Sequence, residues 1–157
     1  MAYSDYVPVT GTIVSVSMGT DCCEQMAAIA TGEGIVNFMI GPETHVIDNR
    51  HLRPGMAVAA FYDSNLPVPM IFPPQYRAQI ITALNGREQI LLSEFNNNLV
   101  AADGSLSLNV AGNTVVRTIN GQNFTCSLGN RTLLVYYTTT TRSIPPQTIP
   151  RKIIVLC

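Results

Sequence analysis

The chain has no tryptophan, and only 12% of its 157 residues are charged. Soluble domains usually carry about twice that fraction. Nine basic and ten acidic residues leave a formal net charge of -1. Nucleic-acid binding draws on clustered Lys and Arg. Here the densest basic pairs are Arg50 with Arg53 and Arg151 with Lys152, so no nucleic-acid partner is expected. No apolar run approaches the length of a membrane span, and none is expected. The start, Met-Ala-Tyr-Ser-Asp-Tyr, lacks the basic and apolar regions of a secretory signal. Helical periodicity is almost absent. There is no Gly-x-Ser-x-Gly elbow, no phosphate-cradling glycine loop and no Cys-x-x-Cys. The acidic residues fall mostly at turns and loops, where solvation accounts for them. The sequence therefore predicts neither an enzyme nor a cofactor.

What is present is a repeat. The stretch Val36 to Val46 reappears as Leu106 to Val116, with Gly41-Pro42-Glu43-Thr44 answered by Ala111-Gly112-Asn113-Thr114. Val58-Ala59-Ala60-Phe61-Tyr62 is matched to Leu134-Val135-Tyr136-Tyr137-Thr138. Pro69 and Pro74 bracket four residues, as Pro145 and Pro150 do. Ala78-Gln79-Ile80-Ile81 is matched to Ile153-Ile154-Val155-Leu156. The matches keep their order, which points to two related modules. The expected organisation is a tail over 1–8, a first module over 9–84 and a second over 85–157, with the Asn85-Gly86 turn at the boundary.

Short β-branched and aromatic runs, interrupted by Gly, Pro, Asn and Asp, mark an all-β chain. About five short strands per module fit two tandem small barrels of the oligonucleotide/oligosaccharide-binding (OB) type. The alternative is two β-sandwich modules, which would lack the buried Trp common in immunoglobulin-like sandwiches. Modules this small bury little core and draw stability from mutual packing, oligomerisation or cross-links. A nearly neutral, charge-poor surface also favours self-association.

Cys22-Cys23 lies in a loop beside Asp21 and Glu24, Cys126 follows the Asn120-Gly121 turn, and Cys157 is the last residue. Three readings are open: free thiols, disulfides between subunits, or a metal site. The reading taken forward is intermolecular disulfides from Cys22, Cys23, Cys126 and Cys157. His45, Asp48 and His51 could in principle hold a metal, but the repeat places Val115 where His45 stands, so no metal site is expected. Tyr62, Pro69, Phe72, Pro74 and Tyr76 form an aromatic–proline cluster suited to partner contact, since aromatics bury much area and proline loses little entropy. The other reading of this cluster is a rigid crossover packed on its own module.

The stretch Tyr62 to Ile80, taken with Thr141 to Pro150, resembles duplicated β-domain proteins of anaerobic, spore-forming Gram-positive bacteria. More loosely, the chain is similar to spore appendage fibre subunits. Those are small β proteins without signal peptides, with a Cys-Cys pair near the N-terminus that cross-links neighbours. Cys22-Cys23 fits that pattern, although it lies inside the first module rather than in a short tail. The resemblance implies a self-assembling structural subunit at an extracellular or spore surface, partnered by copies of itself and by other surface proteins or glycans. The alternatives are an OB-like module binding glycan or peptide, and a cytoplasmic location.

Overall fold

The computed structural model describes residues 3–157. The chain divides into two compact units, 4–86 and 87–157. Both are built almost wholly of strands, so the all-β expectation holds.

A short 3-10 turn, Tyr3–Asp5, leads into β1 (Tyr6–Met18) of the N-terminal module. Then follow β2 (Gln25–Thr31), β3 (Gly34–Ile40), β4 (His45–Val46), β5 (Ala57–Asp63), β6 (Gln75–Arg77) and β7 (Ile80–Ala83). Their order in the sheet is β4-β7-β5-β1-β2-β3-β6. The long β1 is shared: Tyr6 to Thr12 pair with β5, and Thr12 to Met18 pair with β2. Tyr6 to Pro8, expected as tail, are thus strand; Met1 and Ala2 lie outside the described residues. Gly11 sits where β1 leaves one partner for the other. A Cβ there would lie 2.2 Å from the Ala30 carbonyl oxygen and 2.7 Å from Ile29 Cγ2. Only glycine lets the two backbones approach so closely.

No sheet closes into a barrel, which corrects that part of the sequence reading. The ladder breaks where β3 ends at Gly41-Pro42, since Pro42 has no N–H to donate. The chain joins the two edges of the sheet instead. β3 runs on into β4 and β6 into β7, and both pairs, β3 with β6 and β4 with β7, are parallel. Thr44 spans the break. Its hydroxyl accepts from the Gly41 N–H at 3.0 Å and donates to the Ala78 carbonyl at 2.8 Å.

The C-terminal module contains β8 (Gln89–Phe95), β9 (Ser107–Leu108), β10 (Val115–Thr118), β11 (Arg131–Tyr137), β12 (Gln147–Thr148) and β13 (Lys152–Val155). Its strands stand in the orders β10-β13-β11-β8 and β12-β9. Val100 and Ala101 bridge Ser107 and Phe95, in the place β2 takes in the first module. The order, read through that bridge, is the order of the N-terminal module. Parallel and antiparallel pairings agree as well.

Hydrogen bonds fix the equivalences residue by residue. Thr114 accepts from the Ala111 N–H at 3.2 Å and donates to the Pro150 carbonyl at 2.7 Å, as Thr44 does with Gly41 and Ala78. The Pro74 carbonyl accepts from Asn37, and the Pro146 carbonyl from Ser107. Pro150 therefore answers Ala78, and Pro146 answers Pro74; the proline matching of the sequence reading is corrected. The peptide bonds Phe72-Pro73 and Ile144-Pro145 are both cis, at equivalent positions. In the registers, Phe61 faces Ile80 and Tyr136 faces Lys152. Phe61 thus answers Tyr136 and Tyr62 answers Tyr137, one residue away from the sequence match. Ile80-Ile81 answers Lys152-Ile153, three residues away from the sequence match.

Each module has its own core. Ile13, Ile29, Phe38, Val58, Ala60 and Ile81 centre the first. Phe95, Leu106, Leu133, Val135, Ile153 and Val155 centre the second.

Candidate functional site

β5 and β6 carry the aromatic pair predicted from sequence. Tyr62 and Tyr76 stack with ring centroids 3.8 Å apart and planes 7° from parallel. Phe38, fully buried on β3, lies beneath both at 6.5 and 5.7 Å. Burial, and then the neighbouring Tyr76, raise the Tyr62 hydroxyl above the usual tyrosine pKa. Placement follows from strand register: Tyr76 sits opposite Phe38 in the β3/β6 pair.

The segment 64–74 leaves β5 and returns to β6. Its first residues are tied to the 3-10 turn. Ser64 donates from both N–H and hydroxyl to the Asp5 carbonyl, and the Asn65 amide reaches the Asp5 carboxylate at 2.7 Å. Beyond that anchor the loop folds beside the tyrosines and encloses a cleft of about 280 Å³. Tyr62, Tyr76, Pro69, Leu66, Met39 and Asp63 are among the residues that line it. Of the five residues predicted for partner contact, Tyr62, Tyr76 and Pro69 come together in this cleft. Phe72 projects from the loop, 93% exposed, beside Met70, and Pro74 is half-buried at the start of β6.

Sequence reasoning missed the polar rim. Arg77, next to Tyr76, reaches Glu24 at 3.0 Å and Glu43 at 3.2 Å. Glu24 also accepts the Thr20 hydroxyl. The Thr20 bond, then Arg77, holds the Glu24 carboxyl below the usual glutamate range. Arg77 and Asp63 each follow a predicted tyrosine, which was a usable signal. Nothing in the sequence marked Thr20 or Met39.

The C-terminal module keeps the frame and changes the surface. Tyr137 answers Tyr62, but Tyr76 is answered by Thr148, which is buried and donates to the Thr139 carbonyl at 2.6 Å. The tyrosine pair therefore has no counterpart at those two positions. The connecting loop instead carries Ile144, 99% exposed, two residues after Arg142.

Cys22 and Cys23 sit in the loop between β1 and β2. That loop is closed by a Gly19 N–H to Glu24 carbonyl bond of 2.8 Å and by the Cys23 N–H on the Asp21 carboxylate. The Cys22 thiol lies 3.9 Å from the Met18 sulfur. Cys126 lies between β10 and β11, and Cys157 ends the chain. All four thiols are exposed and free. The β8 side of the repeat has Asn96-Asn97-Asn98 where Cys22-Cys23 would fall, and Asn85 answers Cys157. His45 and His51 are both exposed. Among the described residues no group of three or more His, Cys, Asp or Glu is placed to hold a metal ion. No helix is long and apolar enough to cross a membrane.

Compared with known proteins, the chain matches no protein-family model, no curated protein and no solved structure at a significant level.

Proposed function

We propose that this chain is a non-enzymatic structural subunit that assembles with copies of itself into an extracellular or spore-surface fibre or layer, hardened by disulfides. The observation that carries the proposal is the placement of the cysteines. All four are exposed, none is paired within the chain, and each module presents two of them at positions the other module lacks. Free cysteine is usually among the most buried residue types, so four exposed thiols in 157 residues are out of the ordinary. Charge-poor surface and solvent-facing Met70, Phe72 and Ile144 support the same reading. Cross-linking proceeds by thiol–disulfide exchange with a small oxidised disulfide such as oxidised glutathione. One thiolate displaces a glutathione thiol, and a second chain's thiolate then displaces the other. Two protein thiols are oxidised and one disulfide is reduced.

The test is electrophoresis in SDS, with and without reductant, after incubation with oxidised glutathione. A ladder that collapses on reduction supports the proposal. A single monomer band in both lanes, or a ladder that survives reductant, removes the disulfide claim.

One observation favours a second reading, a module binding glycan or peptide: the stacked Tyr62 and Tyr76 beside an open cleft. Aromatic faces near polar side chains are common in such sites. Binding of saccharides by a monomer, lost in Phe72→Ala and Tyr76→Ala, would support it.

A further inference from the structure

We infer that the cleft beside Tyr62 and Tyr76 receives the projecting loop of the C-terminal module, residues 141–149, from a second copy of the chain. This rests on the self-assembly reading and names its non-covalent contact.

Size is the first argument. The cleft holds about 280 Å³. That is at the small end of the range of about 300 to 1,000 Å³ usual for small-molecule sites, and it has room for one large side chain. Its walls are mainly apolar, with Leu66, Pro67, Pro69 and Met39 facing the tyrosines.

The second argument is the plug. Ile144 is 99% exposed, so its burial would remove a whole aliphatic side chain from water. The loop around it is already ordered by its own hydrogen bonds. The Thr141 and Ser143 hydroxyls meet at 2.6 Å, Ser143 donates to the Pro145 carbonyl, and Gln147 N–H donates to Thr141. A pre-ordered loop loses little freedom on docking.

Charge decides between possible loops. Asp63 lines the cleft, and among the described residues its carboxylate accepts the Asn65 N–H and has no ion-pair partner. Arg142 stands two residues from Ile144, exposed and, among the described residues, without an ion pair. The corresponding loop of the N-terminal module, 64–74, contains no charged residue. Phe72 of a second copy would therefore leave Asp63 unmatched, whereas Ile144 brings Arg142 toward it.

The contact is heterologous, because each copy offers one cleft and one loop. It closes into a ring or extends as a filament according to the rotation it imposes. A single loop in a cleft is small beside the roughly 1,200–2,000 Å² of a stable interface. The contact alone is weak, and disulfides then make it permanent.

The experiment is sedimentation velocity on the full chain in reductant, over a concentration series. Wild type should associate with rising concentration, and Ile144→Asp should weaken association at least tenfold. Circular dichroism should be unchanged, since Ile144 makes no core contact. Arg142→Glu and Asp63→Arg should each fail to polymerise, while their mixture should polymerise again with the two variants alternating, since the loop of either variant matches the cleft of the other in charge. Wild type that associates equally well with Ile144→Asp overturns the loop contact and leaves self-assembly standing. Wild type that stays monomeric in reductant but forms a reducible ladder in oxidised glutathione also overturns the loop contact alone. Monomers under both conditions overturn both readings. Saccharide binding by monomers, lost in Tyr76→Ala, would assign the cleft to a glycan and overturn the inference.

Discussion

Thr44 and Thr114 hold the same place in the two modules and make the same pair of hydrogen bonds. Each hydroxyl accepts from an N–H three residues back and donates to a carbonyl just ahead of β7 or β13. Each thereby seals the break between a module's two parallel strand pairs. Thr44→Val and Thr114→Val should each cost about 1–3 kcal/mol, because a half-buried N–H and carbonyl lose their partner while volume is kept. Urea midpoints check this. Serine at either position should restore most of the loss, and an unchanged midpoint in either valine variant would contradict the shared role.

Arg151 holds Glu88 with two bonds, Nε to Oε2 at 2.6 Å and Nη2 to Oε1 at 2.9 Å, while the Glu88 side chain is only 1% exposed. Arg151 is 42% exposed and also lies over the Tyr136 ring. Removing a partner from a buried charge is costly, and the half-exposed arginine moderates that. Arg151→Met should destabilise by about 2 kcal/mol in thermal or urea unfolding. Glu43→Gln, on a surface pair with Arg77, should change stability by less than about 0.5 kcal/mol.

Gly11→Ala should be among the most damaging single-methyl changes in the chain. The added Cβ meets the Ala30 backbone, which cannot swing aside as a flexible side chain would. A loss of about 3 kcal/mol is expected, at the upper end of overpacking effects. Gly32→Ala, with open space around it, is the control.

Acid should weaken the N-terminal module through Glu24. Its folded pKa lies below the ordinary 4.5 because the Thr20 hydroxyl and Arg77 favour the carboxylate. A depressed folded pKa adds stability that is fully present above the unfolded value. That stability is lost as pH falls through the folded one. Melting temperature should therefore drop on going below about pH 4.5. Glu24→Gln should lower the melting temperature at neutral pH and flatten part of that slope in acid. An identical pH profile in the variant would contradict the assignment.

Much of the fold was legible because turns and strands are locally coded. Gly32 to Gly34, Arg53-Pro54-Gly55 and the stretch Val36 to Val46 all behave as their residues imply. The repeat was legible in order but not in register. β5 and β11 are buried on both faces across their middles, with Val58 to Phe61 and Leu133 to Tyr136 all buried. Such a strand has no apolar–polar alternation to fix its phase, and a one-residue slip exchanges the faces. The cores give the correct phase, since Val58, Ala60 and Tyr62 answer Leu133, Val135 and Tyr137. Lys152, buried over the Tyr136 ring, further disguised the match to Ile80. An Asn-Gly pair usually marks a two-residue hairpin loop with positive φ at both residues, which Asn120-Gly121 does not make. Only Gly121 has positive φ, and Thr118 pairs with both Gly121 and Gln122, which makes a three-residue loop. At the candidate site, Tyr62 and Tyr76 were readable as an aromatic cluster. Their stacking, and the approach of Glu24 and Thr20 from another loop, depend on the path of β1 to β3 and carry no local signal.

The central claim is that this chain polymerises with copies of itself. Sedimentation velocity of the full chain in buffer containing oxidised glutathione, across a wide concentration range, tests it most directly. The account predicts a distribution of multimers that grows with concentration and shrinks when reductant is added. A single monomer boundary at every concentration would contradict it.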